Sequence, residues 1–133
     1  MHLQMPHQFQ GLTMSILQDE QAPLEAYLHV SQLYAAAQRH DLVEVALRRY
    51  IEREPRNPRV WVDLAASHVA RGQQSEFLQA LRRAVELGGE PVRDAIRKDQ
   101  RFDPVRHLRE YQQIVPVATQ QQRPAGMSFP FQL

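Results

Sequence analysis

Six histidines are the residues of this chain best suited to metal binding or proton transfer. His2, His7, His29, His40, His68 and His107 form no close pair at helical ligand spacing, and there is no cysteine to complete a ligand set. Serine, aspartate and histidine all occur, yet no nucleophile elbow, glycine-rich phosphate loop or paired-carboxylate motif appears. The sequence therefore assigns no catalytic residue, no metal ligand and no cofactor, and the expectation is a protein that is not an enzyme.

The other side chains that invite a chemical reading are arginines. The stretch ALRRYIEREPRNPR carries Arg48, Arg49, Arg53, Arg56 and Arg59, a pattern that could be offered to nucleic acid. It is interleaved with Glu44, Glu52 and Glu54, so on a helix opposite charges become neighbours and the face compensates itself. The net charge of +1 supplies no large field of one sign, and no nucleic-acid partner is expected. Lys98 is the only lysine, a bias that points to an arginine-rich bacterial genome.

These side chains must be positioned by a modest body. At 133 residues, 43% hydrophobic and 23% charged, the composition is that of one ordinary domain with one core. No run approaches the roughly 18 to 20 apolar residues that span a bilayer. No basic region followed by a hydrophobic stretch opens the chain, so membrane insertion is not expected and no address is readable. A cytoplasmic location, or the soluble part of a larger protein, is the expectation.

The main signal is an internal repeat of 34 residues. Laying residues 24–57 over 58–91 without a gap pairs Tyr27 with Trp61, Val30 with Leu64, Ser31 with Ala65 and Tyr34 with His68. The second halves pair Ala46 with Ala80, Leu47 with Leu81, Arg48 with Arg82, Arg49 with Arg83, Ile51 with Val85 and Glu52 with Glu86. Apolar residues recur at helical spacing within each unit, so each unit reads as two amphipathic helices. His68 occupies an aromatic-equivalent position and reads as packing. Ser31, Ala65 and Ala84 are small where paired helices must approach.

The punctuation has the same period. Asp41, with Glu44 as its capping-box partner, Asn57 before Pro58, and Ser75 are the expected helix caps. Gly72 marks the tight turn in the second unit, and Gly88 with Gly89 can take the left-handed conformation that ends a helix.

The two units resemble tetratricopeptide repeats. Trp61, Leu64, Ala65, Gly72, Leu81 and Ala84 fall on signature positions, as do Tyr27, Ser31, Tyr34, Leu47 and Pro55. Val43 and Phe77 stand where that family usually has alanine, Tyr50 where it has a second alanine and Gly89 where it has proline. The resemblance implies an all-α fold of helix-turn-helix repeats forming a short right-handed α-solenoid. The expected organisation is an extension at 1–22, a repeat domain at 23–115 and an extended tail at 116–133. The repeats would occupy 24–57 and 58–91, with capping helices in 92–115. Asp103 followed by Pro104 would start the last capping helix, and Phe102, Leu108 and Tyr111 would form the cap's core.

The resemblance also implies a concave groove lined by the first helices of successive units. Carried over, the exposed positions are Glu25, Leu28, Gln32 and Ala35, then Arg59, Val62, Asp63 and Ala66, and finally Arg93 and Arg97. Some relatives hold chaperone C-terminal carboxylates in a lysine, asparagine and arginine clamp. Arg93 and Arg97 fit its last two positions, whereas Leu28, Gln32 and Asp63 do not supply the rest. The function implied is non-catalytic binding of a peptide or helical segment of another protein. Two alternatives stand beside it, a self-assembling unit that uses its tail and a small bacterial chaperone or assembly factor for one client. The tail supports the first of these, because Met127, Phe129, Phe131 and Leu133 are apolar residues in a segment that cannot fold alone and can dock in a groove.

Overall fold

A computed structural model describes residues 14–117. Among these residues the regular structure is entirely helical, without strands. After a helical turn at residues 14–18 come α1 (Leu24–Ala36), α2 (His40–Arg53), α3 (Pro58–Ala70) and α4 (Gln74–Arg97). A 3-10 helix (Gln100–Val105) and a short α5 (Arg109–Ile114) follow. The chain packs locally, α1 on α2, α2 on α3 and α3 on α4, while α5 and the 3-10 helix return to α4. The 3-10 helix also reaches α3.

The core follows the apolar spacing. Tyr27, Val30 and Tyr34 of α1 are buried with Val43, Ala46, Leu47 and Tyr50 of α2. Phe77, Leu81, Ala84 and Val85 line the inner face of α4. Each fully buried leucine or phenylalanine removes enough apolar surface to stabilise the fold by about 1.5–3 kcal/mol. α3 is buried over most of its circumference, at Val60, Val62, Leu64, Ala65, Ala66, Ser67 and His68, because elements cover it on several sides. His68 is 1% exposed, and its Nδ1 lies 2.7 Å from Gln73 Oε1.

Asn57 caps α3 as expected, its Oδ1 accepting from the Arg59 N–H at 3.1 Å, with Pro58 in the first turn. Gly72 and Gly89 take positive φ, 71° and 67°. At Gly89 the helical path of α4 breaks, and a new helical run continues through Pro91 to Arg97. Two caps differ from expectation. α2 starts at His40 with no side-chain cap, because Asp41 is held two-pronged by Arg39 at 3.2 Å on each arm. α4 starts at Gln74, so Ser75 lies inside its first turn.

The capping segment also differs. Asp103 and Pro104 do not open a helix but lie inside the 3-10 turn, which Asp99 caps by accepting from the Arg101 N–H at 3.0 Å. Phe102 and Tyr111 are buried and Leu108 packs against the core, so this segment closes the body. The packed body also begins before residue 23. Leu17 and Ala22 are buried, Tyr27 Oη donates to the Asp19 carbonyl, and Arg53 donates to that of Ala22. This part of the extension carries too few apolar residues to show a helical period, so only packing reveals its place.

Candidate binding groove

One broad cleft of about 630 Å³ opens where α1, α2, α3 and the 3-10 helix meet. α1 contributes Ser31, Gln32 and Ala35, and α2 contributes His40, Val43 and Leu47. From α3 come Arg59 and Asp63 one turn apart, then Ala66, Ser67, Val69 and Ala70. Small residues at 35, 66 and 70 keep the space open, because a larger side chain on either wall would fill it. The third wall is Gln100, Arg101 and Pro104 of the 3-10 helix.

The polar chemistry centres on Asp63. Arg101 Nη2 reaches its Oδ1 at 3.0 Å, and the same guanidinium grips Asp99 with Nε and Nη2. Asp99 thus caps the 3-10 helix and aims Arg101 into the cleft. Desolvation by the walls pushes the Asp63 carboxyl above its ordinary pKa, against the opposing pull of Arg101 and Arg59. Arg101 is correspondingly held in its charged form, chiefly by its hydrogen bond to Asp99. Ser31 and Ser67 donate their hydroxyl protons to the carbonyls of Leu28 and Leu64, at 2.7 and 2.9 Å. Both hydroxyls are therefore tied to their own helices. Among the described residues no group of three or more histidine, aspartate or glutamate side chains could hold a metal ion, and no helix is long and apolar enough to cross a membrane.

Of the positions expected to line a groove, Gln32, Ala35, Arg59, Asp63 and Ala66 do so together. Val62 does not, since it is buried in the core, and Leu28 is half-buried against that core. Glu25 is exposed on α1 outside the cleft. Arg93 and Arg97 also lie outside its lining. Arg93 Nε donates to the Ile114 carbonyl at 3.0 Å and Arg97 Nε to that of Pro116 at 2.8 Å. Glu90 and Asp94 brace them. The returning chain occupies the guanidinium face that the sequence offered to a carboxylate.

The residues that sequence reasoning missed are His40, Val43, Leu47, Ser67, Val69 and Ala70 deeper in the cleft, and Arg101 with its neighbours on the third wall. The run DQRFDP held one usable signal, an aspartate two residues before an arginine as a turn cap. Met127, Phe129, Phe131 and Leu133 lie outside the described residues. Comparisons with protein-family models, with curated proteins and with solved structures found no match to this chain.

Proposed function

We propose that this chain is a non-catalytic binding module of tetratricopeptide type, whose groove holds a peptide or helical segment of another protein. The observation that carries the reading is the cleft itself, about 630 Å³ and open, with small residues on two facing helices. Its size lies within the range of about 300–1,000 Å³ typical of ligand sites. Its lining mixes apolar surface with a few convergent polar groups, as recognition of a peptide requires. Supporting the architecture are the 34-residue period, the two successive helix pairs and the turns at Gly72 and Gly89. On this reading the pairs are units of a short right-handed solenoid, closed at one end by residues 100–115.

The test is selection of displayed random peptides on the full chain, followed by the same binding measurement on Ala35→Trp. Ala35 is exposed on the groove wall, so the indole fills the cleft without entering the core. Selected peptides are expected to bind the natural chain and to lose at least about tenfold in affinity on Ala35→Trp, which corresponds to about 1.4 kcal/mol, with an unchanged unfolding midpoint. Recovery of no peptide, or of peptides indifferent to Ala35→Trp, overturns the reading.

A further inference from the structure

Resting on the reading of the cleft as the binding surface, we infer that its first occupant is the chain's own segment 127–133, folded back so that a foreign peptide must displace it. Four observations converge on this segment. The first is its root. Arg93 and Arg97, one helical turn apart, hold the alternate carbonyls of Ile114 and Pro116, so the chain leaves the body at a fixed place. That place adjoins Arg97, which is four residues before Arg101 on the groove's third wall.

The second is reach. Four residues extend at most about 14 Å and an arginine side chain adds several more, so the root lies within about 20 Å of the groove's edge. Residues 118–126 form a spacer that can span about 30 Å. Residue 127 can therefore reach the groove without disturbing the body.

The third is pattern. Met127, Phe129, Phe131 and Leu133 alternate with Ser128, Pro130 and Gln132, which puts four apolar side chains on one edge of an extended chain. Pro130 restricts the segment to extended conformations and lowers the entropy lost on docking. Seven extended residues cover about 20 Å, and elements packed about 8–10 Å apart make a three-element groove of the same length. Val43, Leu47 and Val69 offer apolar surface there, with Ala35, Ala66 and Ala70 leaving room for large side chains.

The fourth is charge. Segment 127–133 has no charged side chain, so it brings no carboxylate against Asp63, whose charge is already met by Arg101. A flexible spacer of this length confers an effective concentration in the millimolar range. At micromolar chain concentrations the segment of the same molecule therefore outcompetes that of a second copy.

The chain has no cysteine, so Ala36→Cys on the exposed end of α1 carries a single nitroxide label in the full-length protein. Paramagnetic broadening of the amide signals of residues 127–133 is expected, independent of dilution and lost in Phe129→Ser/Phe131→Ser. Absence of broadening overturns the inference. Broadening that appears only when labelled chains are mixed with separate isotope-enriched chains also overturns it, since a second copy is then the occupant.

An independent reading uses a synthetic peptide of residues 125–133. It is expected to bind the full-length Phe129→Ser/Phe131→Ser chain at least about tenfold more tightly than the natural chain, whose own segment competes. Equal binding, or none, overturns the inference. If displayed peptides still bind and respond to Ala35→Trp in that case, only the occupant was wrong. If they too fail, the groove reading has failed with it.

Discussion

Arg101 Nη2 stands 3.0 Å from Asp63 Oδ1, joining two residues that are 38 positions apart in the chain. This contact brings the 3-10 helix against α3 and gives the groove its third wall. It also places the one carboxylate of the groove lining beside a guanidinium that Asp99 has already oriented.

Asp63 makes the stability of this region pH-dependent with a definite sign. Its folded-state pKa is raised, chiefly by desolvation, so the folded state binds its proton more readily than the unfolded chain. The resulting cost is absent below the unfolded pKa of about 3.9 and complete above the raised folded value. Relative to Asp63→Asn, the natural chain should lose stability as pH rises through that window and stay level beyond it. Urea midpoints of both chains across the acid range check this. A gap that widens toward acid would contradict the desolvation account.

Arg97 holds the returning chain by its Nε–H as well as by charge, with 16% of its side chain exposed. Arg97→Ala should cost about 1.5–3 kcal/mol, the usual value of a charged hydrogen bond, and loosen residues 111–115. Arg97→Lys should not restore the loss, because an ammonium cannot reproduce the guanidinium fork. Hydrogen exchange at the amides of Tyr111 to Val115 provides the readout.

His68 fills a core position and satisfies Gln73 from within it. His68→Ala should cost about 2–5 kcal/mol by leaving a cavity and an unpaired amide oxygen. Chemical denaturation measures this. A loss under 1 kcal/mol would mean that the site collapses around the smaller residue.

Two adjacent glycines should fail for different reasons. Gly89 has φ 67° and ψ −144°, a region nearly closed to L side chains, while a Cβ there would meet nothing within 4 Å. Gly89→Ala should therefore cost about 1–3 kcal/mol through backbone strain alone. At Gly88 a Cβ would stand 2.0 Å from Val92 Cγ2. Gly88→Ala should cost a similar amount by crowding, and Val92→Ala should recover part of it in the double variant. Melting temperatures of the four chains form the cycle that separates the two causes.

The sequence by itself determined the features that depend on near neighbours along the chain. Apolar spacing marked Tyr27, Leu47, Leu64 and Leu81 as core, and Asn57 with Pro58 marked the start of α3. Gly72 and Gly89 marked breaks because their φ values are ones that other residues avoid. The same spacing brought Gln32, Arg59, Asp63 and Ala66 to one side, where the cleft lies.

Tertiary structure alone decided what covers each face. Periodicity placed Arg93 and Arg97 on an outward stripe but could not reveal that residues 114–116 return to occupy it. Arg101 could not be assigned to the groove, because its aim depends on burial of Phe102 and on a cap at Asp99 that leaves no apolar period. Val62 and Leu17 give the same lesson from the inside. Whether an apolar side chain meets solvent or core is set by elements distant in sequence, and helical spacing is blind to them.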